Sequence, residues 1–200
     1  MRIVGGEFRG RKLAAPVGDD IRPSSERLRE TLFDILLHRY REKIQGAHVL
    51  DLFAGSGALG LEAISRGAVH ALFVDQGVEA RGLLRANIET LGLTGRTRIF
   101  RRDATKLGPA GNVGPFELVF ADPPYGQGLA EQALAAAGQG GYLASGALCV
   151  VEESFKSGPA PQAGFELLEA RRIGDSILTF FSFVGNTGKV QAPLSDSPKC

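Results

Sequence analysis

From residue 47 onward this chain repeats one unit: a short apolar run with an acidic residue at or near its carboxyl end, followed by a helical pattern. The runs are His48-Val49-Leu50-Asp51-Leu52-Phe53, His70–Val74 before Asp75, Ile99–Arg102 before Asp103, Phe116–Ala121 before Asp122, and Ala147–Val151 before Glu152-Glu153. Between them, Leu59, Leu61, Ala63 and Ile64 mark one helix, closed by Arg66-Gly67. Val78, Leu83, Leu84, Ile88 and Leu91 mark a second that stops at Gly92, and Leu129–Ala137 a third. Strands that alternate with helices pair in parallel and are covered on both faces, so the pattern predicts a doubly wound α/β sheet. Phe165–Ile173 and Ile177–Phe183 have no helix between them, only the turn signal Gly174-Asp175. They predict an antiparallel hairpin completing a mainly parallel, seven-stranded sheet. Ligands of such sheets bind beyond the carboxyl ends of the strands, where the acids fall.

Asp122-Pro123-Pro124-Tyr125 follows the fourth run. Two successive prolines donate no backbone N–H and hold the chain extended. The loop therefore presents the Asp122 carboxylate and a proline carbonyl as fixed acceptors beside an aromatic ring. A planar base with an exocyclic amino group suits it, two N–H bonds meeting two acceptors while the ring stacks on Tyr125. A plain X-Pro-Pro turn explains the prolines alone, but not the flanking Asp and Tyr at a strand end.

After the first run comes Ala54-Gly55-Ser56-Gly57-Ala58-Leu59-Gly60. A strand, a glycine turn and a helix form a ligand-binding corner, in which backbone approaches the ligand and the helix start offers free N–H groups. Gly55, Gly57 and Gly60 satisfy G-x-G-x-x-G, and Asp75 follows at dinucleotide-site spacing. This match alone does not separate a nicotinamide cofactor from S-adenosylmethionine. Asp51 favours the latter, since a carboxylate there repels a pyrophosphate but accepts from an ammonium. Asp75 suits a ribose diol in either case, and Asp103 could reach an adenine amino group.

The 200 residues fit an enzyme of ordinary domain size, and the net charge of +1 advertises no nucleic-acid partner. The charge is uneven, however. Residues 1–12 carry Arg2, Arg9, Arg11 and Lys12 against Glu7, and they read as a short hairpin with basic edges. Arg22-Pro23-Ser24-Ser25 precedes a helix with Leu28, Leu32, Ile35 and Leu36 on one side, and Arg22, Arg27 and Arg29 gather near its start. Cations there oppose the helix dipole, which a bound anion would relieve. Charge alone does not separate this from a solvated basic face; glycine-flanked arginines beside a methylation cleft favour a nucleic-acid backbone. Cys149 and Cys200 offer neither a disulfide framework nor metal spacing, and His38, His48 and His70 form no ligand pattern, so no metal is expected. No apolar run reaches the ~18 residues of a membrane span, and a cytoplasmic protein is expected. The organisation expected is an RNA-binding extension over 1–45, a methyltransferase domain over 46–184, and a disordered tail over 185–200.

Arg2-Ile3-Val4-Gly5-Gly6, Phe8–Leu13, Arg22–Glu30, Asp51–Gly60 and Asp122–Tyr125, taken together and in order, resemble the bacterial small-subunit ribosomal RNA guanine-N2 methyltransferase family. The likeness runs from Arg2 to about Phe181, with Ser24-Ser25 where threonine is common. The two loop motifs occur in many amino-methyltransferases; the N-terminal blocks are the specific part. The resemblance implies a Rossmann-like class I methyltransferase. In it Asp51, Phe53, Gly55, Gly57, Asp75, Asp103 and Ala104 hold S-adenosylmethionine, and Asp122, Pro123, Pro124 and Tyr125 hold the base. Arg2, Arg9, Arg11, Lys12, Arg22, Arg27 and Arg29 would then meet RNA. The expected partner is ribosomal RNA or a partly assembled small subunit, met by a monomer with no membrane association. Adenine-N6 or glutamine-amide methylation would use almost the same acceptor loop. A nicotinamide-dependent reductase and a non-catalytic RNA-binding assembly factor are the rivals of other classes.

Overall fold

A computed structural model describes residues 1–15, 26–156 and 162–185. Seven strands lie in one sheet of order β3-β2-β1-β4-β5-β7-β6. They are β1 (His48–Leu52), β2 (His70–Val74), β3 (Thr97–Phe100), β4 (Phe116–Ala121), β5 (Leu143–Ser154), β6 (Phe165–Ile173) and β7 (Ser176–Phe183). The first five are parallel, and β7 runs antiparallel between β5 and β6. This is the doubly wound, Rossmann-like sheet with a closing hairpin that the alternation predicts.

Side-chain alternation divides the interior between the two faces of the sheet. Val49, Phe73, Leu118, Phe120, Leu148 and Phe180 face one way, against α1 (Glu26–Arg39), α2 (Ala58–Ser65) and α3 (Val78–Leu91). Leu50, Leu52, Val74, Val119, Ala121 and Val151 face the other, against α4 (Leu129–Gln139) and residues 104–107. Ile3 and Leu13 from the N-terminal hairpin join the first cluster. The extension therefore shares its core with the sheet.

Every residue of α2 is buried, because the sheet covers one side and the N-terminal hairpin the other. A helix apolar around its whole circumference belongs in such a place. The exceptions are Glu62 and Ser65; the Glu62 carboxylate accepts from Val4 and Gly5 N–H at 2.8 Å each and from Arg66 Nε at 2.8 Å. Ser65 completes the dock. Its carbonyl accepts from Glu7 N–H at 2.7 Å, and its hydroxyl bonds Phe8 N–H and the Gly5 carbonyl. The hairpin itself closes through an Arg2–Lys12 antiparallel bridge.

Element limits shift where flanking residues extend the ladder. β5 begins at Leu143, before the predicted Ala147, with a register irregularity between Phe116 and Leu118 on its neighbour. β3 ends at Phe100, so Arg101 and Arg102 lie beyond the strand that the sequence assigns them to. The 185–200 tail lies outside the described residues except for Gly185. Among the described residues no helix is long and apolar enough to cross a membrane.

Candidate active site

The chain turns back at β1. It proceeds to β2 and β3 on one side of that strand and then returns to β4 on the other. A crevice opens where the winding reverses, beyond the carboxyl ends of β1 and β4. Register fixes what meets there. Leu52 is level with Val74 on one side and Ala121 on the other, and Ala121 is level with Val151. The next residues, Phe53, Asp75 and Asp122, thus leave the sheet together, while Glu152, at the same level, continues in β5 paired with Leu178 of β7.

Phe53 starts the glycine turn with φ 61°, a left-handed conformation costly for a non-glycine residue and characteristic of functional sites. Asp75 then braces the turn: Oδ2 accepts from Gly55 N–H at 2.8 Å, and Oδ1 from Gly77 N–H at 2.7 Å at the head of α3. Asp51 is 2% exposed, and its Oδ2 accepts from Gly60 N–H at 2.9 Å. Burial drives its carboxyl well above the usual range. The Gly60 bond opposes that rise, and the Asp122 and Asp75 charges reinforce it.

The two turn glycines differ. Gly55 lines the crevice with φ 56°, and a Cβ there would meet no side chain. Gly57 lies away from the crevice wall, with φ 81°, and a Cβ on it would collide with Leu84. Packing against Leu84 therefore requires glycine at this position of the motif.

The crevice has a volume of about 860 Å³, ample for a nucleoside cofactor together with a base. Asp51, Phe53, Gly55, Asp75 and Ala104 line it on one side, and Asp122, Pro123, Pro124 and Tyr125 on the other. Asp103 does not line it. Its Oδ1 is turned to the N–H and hydroxyl of Thr105, at 2.9 and 2.7 Å, which hold its carboxyl below the usual range. The strand-end acid expected at the adenine instead caps a local turn, and its neighbours Arg102 and Ala104 reach the crevice.

Comparison with known proteins fits this architecture. The family model described as Conserved hypothetical protein 95 matches residues 1–182. The chain belongs to the conserved hypothetical protein 95 family. Ribosomal RNA small subunit methyltransferase D of Escherichia coli K12 is 40% identical over 169 residues, 84% of this chain and 82% of the relative. The protein of the same name from Haemophilus influenzae is 36% identical over 154 residues, 76% and 78% of the two chains. The solved structure of yhhF from Escherichia coli superposes with a TM-score of 0.76 at 35% identity, covering 92% of this chain and 98% of that one. The fold is the Rossmann-like α/β fold of class I methyltransferases.

The family match includes the N-terminal segment, whose basic residues separate into groups. Arg9, Arg11 and Lys12 are exposed. Arg2 is exposed but pairs with Glu26 at 3.0 Å. Arg27 lines the crevice at the start of α1, next to Leu28. Arg22 lies outside the described residues. Arg29 departs from the expectation of RNA contact: it is 0% exposed, and its Nη2 donates to the Arg2 carbonyl at 2.8 Å. Burial lowers its pKa against the opposing charges of Glu62 and Glu26. Four residues before Phe33, it lies on the apolar stripe of α1, and that spacing is the signal that a count of charges passes over.

Three further residues escape sequence reasoning. Asn87, on α3, brackets Ala14 through its N–H (2.6 Å) and carbonyl (3.1 Å), and also donates to the Ser56 carbonyl at 2.9 Å. It joins the end of the hairpin to the glycine turn. Glu152 and Ser176 line the crevice beside Tyr125. Glu152 carries a sequence signal, an acid at the end of the fifth run like those before it; Ser176 carries none.

Proposed function

We propose that this protein transfers a methyl group from S-adenosylmethionine to the exocyclic N2 amine of a guanine in small-subunit ribosomal RNA. The observation that carries the reading is the register that brings Asp51 and Phe53 beside Asp122 across the switch point, with Tyr125 on the same wall. A cofactor corner thus opens onto an acceptor loop. Relatives named ribosomal RNA small subunit methyltransferase D support the RNA substrate.

The crevice suits the cofactor. Asp51, Asp75 and Asp122 line the crevice together, and the charges of Asp122 and Asp75 add to the burial that raises the Asp51 carboxyl, so a positive charge beside them is favourable. An ammonium and a sulfonium supply that charge, whereas a pyrophosphate would add to the repulsion. When bound, S-adenosylmethionine supplies an electrophilic methyl on sulfur. Asp51 would receive the ammonium, Asp75 the ribose hydroxyls, and Phe53, Gly55 and Ala104 the surrounding surface.

The guanine amine is a poor nucleophile, since its lone pair is delocalised into the ring. Acceptors at Asp122 and the Pro123 carbonyl favour pyramidal nitrogen as attack begins, a stabilisation greater in the transition state than in the ground state. Tyr125 stacks on the extruded base and aligns it for in-line attack. The sulfur–methyl bond would break as the nitrogen–methyl bond forms, leaving S-adenosylhomocysteine, and the methylated nitrogen then releases its proton to solvent, so Asp122 acts as an acceptor without being a strong base. The reaction is cytoplasmic and is carried out by a monomer on ribosomal RNA or a partly assembled small subunit.

The test is methylation in vitro. Small-subunit RNA from cells lacking the gene is incubated with the protein and labelled S-adenosylmethionine, then digested to nucleosides. The expected product is N2-methylguanosine. N6-methyladenosine would transfer the assignment to the adenine rival, and an unlabelled digest would overturn it.

A further inference from the structure

Tyr125 is held from behind. Its hydroxyl donates to Glu152 Oε1 at 2.8 Å and lies 3.0 Å from Ser176 Oγ, which itself donates to the same Oε1 at 3.2 Å. Three oxygens from three elements therefore form a closed triangle: the loop after β4, the carboxyl end of β5, and the start of β7. Glu152 is 6% exposed and Ser176 3%, while Tyr125 is half-buried with part of its ring on the crevice. The phenol keeps its proton throughout the working range, because burial above all pushes its pKa up to about 12. It is therefore the donor to the carboxylate.

We infer that Glu152 and Ser176 are positioning residues for the target base, acting through the Tyr125 hydroxyl. The inference rests on the reading of Tyr125 as the stacking platform. Pro123 and Pro124 stiffen the backbone before Tyr125, which leaves two side-chain torsions to set the plane of its ring. The hydroxyl oxygen lies on the axis of the second torsion, so holding it fixes the first; the second is restrained because conjugation keeps the phenol O–H in the plane of the ring, and that O–H points at Glu152. The ring plane sets the plane of a base stacked on it, and hence the angle at which the amine meets Asp122 and the methyl donor. Reactions of this type tolerate little error, since a displacement of 1 Å costs on the order of 100-fold in rate. The anchor also recruits the β6–β7 hairpin. Ile173, Gly174 and Asp175 line the crevice immediately before Ser176, so the hairpin turn becomes the outer wall of the base site.

A cycle of Tyr125→Phe, Glu152→Ala and their double mutant, with Glu152→Gln and Ser176→Ala alongside, tests this. Single-turnover methyl transfer to RNA is measured at saturating cofactor, with cofactor affinity followed by calorimetry. Wild type is read first: if it methylates no RNA, the functional reading fails and the inference with it. Given an active wild type, Tyr125→Phe keeps the ring but loses the anchor, and slows transfer roughly 10- to 100-fold with cofactor affinity unchanged. Glu152→Ala slows it similarly, and the double mutant is no slower than the worse single, because both remove one contact. Glu152→Gln keeps an acceptor oxygen and recovers most of the rate. Ser176→Ala, the mildest change to the fold, gives a smaller loss. Wild-type transfer by Tyr125→Phe would overturn the inference, as would single-mutant losses that multiply in the double mutant.

Discussion

Asp51 and Gly60 join the carboxyl end of β1 to the first turn of α2: a buried carboxylate oxygen accepts a helix-start N–H at 2.9 Å. The bond satisfies one of the free donors at the helix start, in the orientation the helix dipole favours. Burial of Asp51 nevertheless outweighs it, and the carboxyl is left well above its usual range. A group whose folded pKa exceeds its unfolded value contributes stability below the unfolded value, near ~3.9 for Asp, and loses that contribution as pH rises through the folded value. At neutral pH the Asp51 charge is thus a cost to the folded protein without cofactor. Asp51→Asn keeps the acceptor for Gly60 and removes the charge. Its ligand-free Tm at neutral pH should equal or exceed that of wild type, while S-adenosylmethionine binding weakens by ~1.5–3 kcal/mol. Thermal melts and calorimetry check the pair, and unchanged cofactor affinity would remove Asp51 from the site. Wild-type affinity should also rise with pH above the ordinary carboxylate range, as Asp51 gives up its proton.

Asp122→Ala separates chemistry from binding. The residue lies on the acceptor side of the crevice. Its loss should slow single-turnover methyl transfer by about 100-fold or more, with cofactor affinity changed only a few-fold. Full activity would mean that the acceptor loop does not contact the amine.

The exposed arginines predict a salt signature. If Arg9 and Arg11 neutralise phosphates, replacing both with alanine should flatten the dependence of log affinity on log salt by roughly two contacts' worth, with cofactor binding unaffected. Arg29 is the internal control. It is wholly buried, with Nε and Nη1 lacking hydrogen-bond partners among the described residues, so Arg29→Met should leave the slope at its wild-type value. RNA titrations across a salt series distinguish the three proteins. Equal slopes throughout would return Arg9 and Arg11 to an ordinary solvated surface.

Glu62 predicts a stability effect. Its carboxylate is fully buried and accepts from Val4, Gly5 and Arg66. Glu62→Ala leaves those donors unmet and Arg66 without its anion, at an expected cost of roughly 3–5 kcal/mol. Denaturant unfolding should show it, and limited proteolysis should cut first within residues 1–14. A loss below ~1 kcal/mol would mean that the dock is dispensable.

The sheet is legible in the sequence because its signals are local. Gly92 ends α3 in a left-handed C-cap at the predicted stop, and Gly174-Asp175 turns the final hairpin where the pattern breaks. The acids after β2 and β4 stand at the crevice for the same reason: a strand's end can be read from its own apolar run. What is not legible depends on partners distant in the chain. Asp103 looks like its neighbours until Thr105 takes its carboxylate. Arg29 looks like surface until the Arg2 carbonyl is brought against it from 27 residues away. Tyr125 gives no sign in sequence of Ser176, 51 residues on, which reaches it only after β7 has folded back between β5 and β6.

The way the hairpin is seated on α2 limits how such proteins can be recombined. Residues 1–14 look like a detachable arm, yet their backbone is held by Glu62 and Ser65 on α2 and by Asn87 on α3. A chimaera that moved only the arm onto another sheet of this type would carry the plug without its socket. The smallest transferable unit is the arm together with both helices, and α2 is also the helix that follows the glycine turn at the crevice. The arm and the glycine turn are in this sense inherited as one piece, and exchanging the first means importing part of the second.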